Sequence, residues 1–417
     1  MNRTGHADLP LHRGYVPRWL SQRMTVLGTL IIESLVHNYG KQEVLRRVCD
    51  PLWFQSFGAV LGMDWHSSGI TTSVMAALKR GVNPRAHELG ICICGGRGQR
   101  GRGTPDELRY IADASGLDGD ALIRASRLCA KVDSAAVQDG FQLYLHHMVL
   151  TDSGDWAIIQ QGMNTVSKTA RRYHWASRTL RSFVSQPHAA VTGENQGQIL
   201  NLTAADAESV RAHIVEFAKE EPRRILQELE PICGKPVQQE LFVPVSEHSE
   251  RSISLPRRHA VQAHDVDLTR LGAILMTAYE HQPDNFETLL LTQGLGARTL
   301  QSLTLISEII YGTPERFTDP ARFSFAHGGK DAHPFPVPCR IYDESVRVLH
   351  TCIEQARMGY MEKSECLKRL HMTARELEQR CQPQADFDRV IEHERACSPR
   401  WGGMTVSGSV SALQQRT

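Results

Sequence analysis

The sequence predicts an α+β protein, with a mixed N-terminal domain that holds a small sheet and a mainly helical C-terminal domain. Residues 141–150 and 156–161 are apolar-rich runs on either side of a five-residue turn that contains Gly154, which is the pattern of a β-hairpin. Helical periodicity occupies much of the remaining chain and begins over residues 19–39. Residues 244–265 are rich in Pro, Ser, Arg and His without a hydrophobic period, and this composition predicts a linker.

A chain of 417 residues favours more than one domain, because single hydrophobic cores stop growing near about 250–300 residues. The linker divides the chain. We expect an N-terminal α+β domain with the candidate catalytic site at residues 1–243, the linker at 244–265, a helical DNA-binding domain at 266–380 and a mobile tail at 381–417.

The remaining elements follow from local patterns. Thr104 and Glu107 have the spacing of a capping box around Pro105, so a helix is expected to begin there. The other predicted elements, in chain order, are helices at 51–61 and 69–79, a buried strand at 89–94, a loop at 193–202 and a helix at 204–229.

Composition sets limits on the class of protein. Hydrophobic residues make up 41% of the chain and charged residues 22%, which is ordinary for a folded globular protein. We see no signal peptide and no apolar run of roughly 18 residues, so no membrane partner is expected. The ten cysteines include no CxxC pair, which argues against a paired-cysteine zinc site and favours reduced thiols in the cytoplasm. The net charge of +1 neither supports nor excludes a nucleic acid.

The strongest motif is a glycine turn between two apolar helical runs at residues 289–300. Gly294 and Gly296 bracket one apolar residue and allow a tight turn, after which the amides of the second helix are open to a phosphate oxygen. Arg298 adds charge, and Thr299 belongs to the same candidate DNA contact. The segment resembles the helix-hairpin-helix motif of DNA repair proteins; an ordinary helical hairpin is the alternative.

A glycine-arginine stretch at residues 95–103 is the second candidate DNA contact. Its five glycines leave amides open, and Arg97, Arg100 and Arg102 supply guanidinium groups for phosphate. It lacks the Gly-Lys-Ser/Thr ending of a nucleotide-binding P-loop and the spacing of a dinucleotide-binding loop. A flexible surface loop is the alternative.

Polar residues around the predicted hairpin form the candidate catalytic site. Carboxylates bind hard cations such as Mg²⁺ or Mn²⁺, and an imidazole can serve as ligand or base. We expect Asp133, Asp139 and Gln160 to hold a divalent metal, with His146 as base or ligand. A turn at Asp139 and opposite orientations of adjacent glutamines are the structural alternatives. The full candidate set is Lys131, Asp133, Asp139, His146 and Gln160.

Cations and aromatic residues are combined at residues 171–175, a composition that suits backbone neutralisation and base stacking. The alternative is a helix with Tyr173 and Trp175 in the core and the arginines solvated. Arg171, Arg172 and His174 are therefore candidate DNA contacts, and the two arginines with Lys131 are expected to hold the scissile phosphate. Asp64 and His66 are either an acid-base or metal-ligand pair or, more simply, part of a helix cap. No G-x-S-x-G elbow is present.

These segments together resemble the family of proteins called domain of unknown function 763. The resemblance covers most of residues 3–360 and departs from the family pattern in the glycine-arginine stretch, where glycine and arginine replace a lysine and a serine. It implies a family but no chemistry. The matching segments are residues 4–12, 53–55, 64–69, 130–133, 138–140, 160–163, 170–175 and 323–331.

The sequence thus favours a DNA-binding protein, a divalent-metal-dependent nuclease of repair or recombination, whose substrate includes single-stranded or branched DNA. A non-catalytic DNA-structure-binding adaptor that recruits a helicase or nuclease is the alternative. A base-excision glycosylase is a third candidate, although Asp319, Asp331 and Asp343 lack the flanks of its catalytic aspartate. A repair-protein partner and self-association are both open.

Overall fold

A six-stranded antiparallel sheet lies at the centre of the protein and is covered by helices on both faces. The computed structural model describes residues 9–10, 16, 18–63, 68–225, 268–314, 316–321, 339–356, 359–380, 404–405 and 408–409. In chain order the strands are β1 Leu9–Pro10, β2 Ile91–Arg97, β3 Val137–Gln138, β4 Gln142–Thr151, β5 Trp156–Asn164, β6 Thr169–Ala176, β7 Ala190–Thr192, β8 Gln198–Asn201, β9 Phe317–Thr318, β10 Met404–Thr405 and β11 Gly408–Ser409.

The central sheet has the order β1-β6-β5-β4-β2, and β7 also pairs with β6. Strands β3, β8 and β9 form a smaller sheet, and β10 pairs with β11. The longer helices are α1 Arg18–Tyr39, α2 Lys41–Val48, α3 Pro51–Val60, α4 Gly69–Val82, α7 Thr104–Ser115, α8 Gly119–Lys131, α9 Glu208–Lys219, α10 Leu268–His281, α12 Ala297–Tyr311, α13 Cys339–Gln355 and α14 Tyr360–Arg380, and the short ones are α5 Ala86–Leu89, α6 Gln99–Arg102 and α11 Phe286–Leu290.

The two faces of the central sheet carry separate hydrophobic cores. On the first face, Met148 and Ile158 pack with helices α7 to α12, and on the second face, Val149 and Ile159 pack with α1 to α4, α13 and α14. Successive strand residues point to opposite faces, so one strand contributes to both cores. Strands buried on both sides carry nearly continuous apolar or pairing polar side chains, which explains the weak alternation of β5 and β6.

The combination of helices and sheets confirms the α+β class. The predicted hairpin is confirmed as β4 and β5, and the helices at residues 19–39 and 51–61 are confirmed as α1 and α3. The loop predicted at 193–202 is wrong in part, because β8 forms there by pairing with distant β3 and β9. The predicted linker lies outside the described residues.

Residues on both sides of the predicted linker share the core of the first face. Leu289, Leu295 and Leu300 belong to the same buried cluster as Leu128 and Ile158. The glycine-turn segment at residues 289–300 therefore shares the core formed by the sheet and α8. Within the part of the chain that the structure describes, no helix is long and apolar enough to cross a membrane.

Candidate functional site

A chain of hydrogen-bonded polar side chains crosses the first face of the sheet. A one-turn π-helix, Val132–Ala136, extends α8 and turns Asp133 inward. Such π-turns often occur at functional positions. Gln160 on β5 donates from Nε2 to Asp133 Oδ2 (2.5 Å) and to the Cys129 carbonyl (3.1 Å). Its Oε1 lies 2.7 Å from His146 Nδ1. Asp133, Gln160 and His146 are thus brought together, as the sequence predicted.

These bonds fix the tautomer of His146. Because the Gln160 amide nitrogen already serves two acceptors, its oxygen faces the ring and His146 Nδ1 carries the proton. His146 Nε2 then accepts from the Ser126 hydroxyl at 2.9 Å. Burial lowers the pKa of His146, and the imidazole is neutral. The imidazole can accept a proton, but both of its nitrogens are already engaged.

Asp133 accepts three hydrogen bonds in all. Besides Gln160, Trp175 donates from Nε1 to its Oδ2 at 2.9 Å, and His188 Nε2 lies 2.6 Å from its Oδ1. All of these side chains are buried or nearly so. His188 follows a proline in an irregular segment, and no local pattern in the sequence marks it as a partner of Asp133.

A buried ion network lies on the same face of the sheet. We call this network and the hydrogen-bonded chain around Asp133 together the first-face cluster. Arg171 donates to Asp139 Oδ2 at 2.8 Å and to both carboxylate oxygens of Asp319 at 2.9 and 2.8 Å. Asp139 also accepts from the Tyr173 hydroxyl at 2.6 Å. Burial raises the pKa of Asp139 against the lowering effect of Arg171. For Arg171, burial alone lowers the pKa, but the carboxylates of Asp319 and Asp139 raise it overall.

The carboxylates expected to bind a metal are therefore surrounded by N–H and O–H donors. A divalent ion at Asp133 or Asp139 would displace the donors from Gln160, Trp175, Arg171 or Tyr173. Among the described residues no group of three or more His, Cys, Asp or Glu is arranged to hold a metal. Hydrogen-bond donors and a guanidinium ion stabilise these carboxylates here, as they do in buried ion networks.

Lys131 does not extend toward solvent as a free cation. Its ammonium donates to the Leu295 carbonyl at 2.5 Å, and burial lowers the pKa of Lys131. Gln138 makes a similar contact, from Nε2 to the Ala297 carbonyl at 2.8 Å. The predicted role of Lys131 on a scissile phosphate is thus replaced by a contact that anchors residues 295–297 to the first face.

The glycine turn itself is exposed at its tip. Gly294 has φ +82°, in the left-handed region that glycine favours, and Leu295 is buried in the first-face core. Gly296 is the N-cap of α12 and supplies no capping side chain. Arg298 is exposed, whereas Thr299 is buried. The amides of residues 296–299 have no acceptor among the described residues.

The glycine-arginine stretch is ordered as a strand end and a helical turn. Gly95 and Gly96 continue β2, and Gly95 has φ +93° with the His146 carbonyl where a Cβ would be. A side chain at Gly95 is therefore excluded. Arg97, Arg100 and Arg102 are exposed and form no ion pair within the described ranges. The alternative of an irregular surface loop is wrong, because β2 pairs with β4 through Arg97.

Arg171, Arg172 and His174 have no solvent exposure, so their expected outward contact with DNA is corrected. All three lie on β6, where alternation sends Arg171 to the first face and Arg172 and His174 to the second. Helices cover both faces, and the side chains are enclosed. Arg172 donates to His174 Nε2 at 3.0 Å and to Gln55 Oε1 at 3.1 Å. Asp64, His66 and the segment 323–331 lie outside the described residues.

No curated protein and no solved structure matches this chain. One family model does, and it covers residues 5–337, which include the central sheet, the first-face cluster and the glycine turn. The match spans well over half of the chain. The chain therefore belongs to the family described as protein of unknown function, DUF763.

Proposed function

We propose that the protein binds the phosphate backbone of DNA through one basic surface, formed by the glycine turn, the exposed edge of α8 and the helical turn α6. We define this basic surface as the exposed Arg100, Arg102, Arg127 and Arg298. The observation that carries the proposal is that both glycine-rich segments predicted to contact phosphate lie on the first face and are linked through His146 and α8. Clustered cations on one face are the electrostatic footprint of nucleic-acid binding.

The contacts between the two segments run through His146 and α8. A Cβ on Gly101 of α6 would lie 3.6 Å from the Cβ of His146. His146 is bonded to Ser126, which precedes the exposed Arg127 on α8. One turn later Lys131 reaches the Leu295 carbonyl of the glycine turn.

The start of α12 adds an anion-binding feature to this surface. The N-caps Asp50, Asp118 and Asn285 each accept amide hydrogens of their own helices. Gly296 offers no such acceptor, and the amides of the first turn of α12 stay open beside Arg298. Open amides at a helix N-terminus favour a phosphate oxygen, as in a helix-hairpin-helix segment.

The geometry favours the non-catalytic DNA-binding candidate over the nuclease. The acids that a nuclease would use are buried and already accept several hydrogen bonds. A metal site would require those donors to move away. The nuclease therefore remains the alternative that a cleavage assay decides.

Replacing Arg100, Arg102 and Arg298 together with alanine should weaken DNA binding at least about tenfold at 0.1 M salt and flatten the slope of log K against log salt by about 3. Each arginine that no longer contacts a phosphate reduces by about one the number of counterions that DNA releases on binding. Fluorescence anisotropy with labelled single-stranded, duplex and branched DNA measures both quantities.

Incubation of the same DNA with the protein and Mn²⁺ tests for catalysis. Strand breaks that Asp139→Asn abolishes would support a nuclease, and abasic sites would support a glycosylase.

A matched variant removes three exposed cations from the helices of the second face, Arg23, Arg46 and Arg80. It lowers the net charge equally and should retain the salt slope of the unmodified protein. Equal loss of affinity in both variants would show that overall charge, and not the basic surface, attracts DNA. Absence of DNA binding by the unmodified protein at low salt would end the proposal.

A further inference from the structure

We propose that the second face of the sheet holds an enclosed binding site for a protonated phosphate group, hydrogenphosphate or a phosphate monoester, centred on Arg172. This site is separate from the basic surface and does not depend on DNA binding, because Arg172 points to the opposite face from the Asp133 and Asp139 cluster. The proposed site consists of Arg172 and its neighbours Gln161 and Thr192 on the flanking strands.

Arg172 is a buried cation that forms no ion pair within the part of the chain that the structure describes. Its guanidinium donates to His174 Nε2, to Thr71 Oγ1 at 3.3 Å and to Gln55 Oε1, and it stacks over Phe54 at 4.6 Å. No carboxylate among the described residues is within ion-pair distance of it. Three hydrogen bonds from five donors leave two N–H groups for another acceptor. Buried charges in proteins are normally paired, because leaving one unpaired is costly.

His174 does not supply the missing negative charge. Its Nδ1 lies 3.0 Å from the Val48 carbonyl and so carries the proton, while Nε2 accepts from Arg172. Burial and the neighbouring guanidinium lower the pKa of His174, so that the ring is neutral. Burial likewise lowers the pKa of Arg172 to about 9, as expected when no anion opposes it.

Two buried oxygens without hydrogen-bond partners flank Arg172 in the sheet. The strand register places Gln161 directly opposite Arg172 on one side and Thr192 on the other. Directly opposed residues share a face, with their Cβ atoms about 5 Å apart. Gln161 Oε1 and Thr192 Oγ1 have no partner, although both residues are fully buried. Three adjacent side chains thus share unused hydrogen-bonding capacity.

The N-terminus of α4 points its positive end at the same place. Thr71, the third residue of this 14-residue helix, accepts from Arg172, and the N-cap Ser68 makes no side-chain capping bond. A helix N-terminus carries partial positive charge, so a guanidinium placed there is repelled unless an anion lies between them. Arginine and a helix N-terminus together are typical of sites for phosphate.

The orientation of Gln161 restricts the anion further. Its Nε2 donates to the Ser68 carbonyl at 3.1 Å, so the unsatisfied atom of its amide is the acceptor Oε1. The ligand must therefore offer anionic oxygens to Arg172 and Thr192 and an O–H hydrogen to Gln161. Hydrogenphosphate has both, whereas sulfate has no hydrogen to donate.

The test is calorimetric titration of the full chain with inorganic phosphate, sulfate and a 5′-mononucleotide at pH 7 and equal ionic strength. Phosphate should bind about tenfold or more tightly than sulfate, because sulfate leaves the Gln161 oxygen unsatisfied. Phosphate released from the denatured protein is assayed in parallel to detect ligand that co-purifies. Binding of the mononucleotide alone would identify a monoester as the source of the phosphate.

Thr192→Val and Gln161→Met test the two flanking residues without removing the charge. Each should weaken phosphate binding about tenfold and leave a folded protein. Thr304→Val is the matched control, since Thr304 is equally buried but donates to Leu300 within α12. It should leave the affinity unchanged.

Three results would overturn the site. The first is that the unmodified protein neither binds added phosphate nor releases any on denaturation. The second is equal affinity for phosphate and sulfate. The third is unchanged phosphate affinity in Thr192→Val together with greater thermal stability, since removing a hydroxyl that truly lacks a partner stabilises a protein.

Discussion

Lowering the pH from 7.5 to 5 should reduce the free energy of unfolding by about 4–6 kcal/mol. Burial lowers the pKa of three histidines on the central sheet below the usual value of 6.5, to about 3 for His147. The other two histidines are His146 and His174. Below pH 6.5 the unfolded chain therefore binds protons that the folded protein does not bind. The contribution of these neutral histidines to the free energy of unfolding is fully present above pH 6.5 and is lost as the pH falls toward 3.

Urea denaturation at a series of pH values measures this effect. The slope should lie between two and three protons, or about 3–4 kcal/mol per pH unit, where the unfolded histidines are charged and the folded ones are neutral. His147→Gln should reduce the slope by about one proton, and His87→Gln, at an exposed position, should not change it. A stability that stays constant between pH 7 and 5 would contradict the buried neutral state of these rings.

Replacing Arg171 with methionine should lower the free energy of unfolding by about 3–5 kcal/mol at pH 7.5. The guanidinium pairs with Asp139 and Asp319, and all three side chains are fully buried. Methionine fills much of the volume but leaves two carboxylates without a cation. Guanidinium chloride unfolding, followed by tryptophan fluorescence and by circular dichroism, measures the loss.

Two further variants separate charge from packing at Arg171. Arg109→Met removes an exposed arginine that lies 3.5 Å from Asp120 and should cost less than about 0.5 kcal/mol. Adding Asp319→Asn to Arg171→Met should recover part of the loss, because it removes one of the two buried carboxylates that have lost their cation. A loss below about 1 kcal/mol in Arg171→Met would show that the network does not stabilise the fold.

Local patterns in the sequence were sufficient for much of the secondary structure. The hairpin of β4 and β5 and the helices α1 and α3 depend on turn glycines and apolar periodicity within one segment. The same reasoning correctly placed Gln160 and Gln161 on opposite faces, since alternation is a property of any strand. It also grouped Lys131, Asp133, Asp139, His146 and Gln160 as one metal-dependent site, and of these the structure joins Asp133, His146 and Gln160 by hydrogen bonds.

Only the tertiary structure decided whether the polar side chains of the strands face solvent or the protein interior. The combination of cations and aromatics at residues 171–175 is equally compatible with a solvated surface and with a strand enclosed by two layers of helices. The second is observed, and it removes Arg171 and Arg172 from any surface contact. Asp319 reaches Arg171 from 148 residues away, and β8 forms only by pairing with distant strands.

The sequence by itself determined the α+β class, the family, the hairpin and the positions of the glycine turns. The tertiary structure alone decided which polar groups are buried, which carboxylates are already paired and which buried arginine has no counter-ion among the described residues. The physical reason is range: turn chemistry and periodicity act over a few residues, whereas burial and ion pairing depend on segments that meet only after the chain has folded.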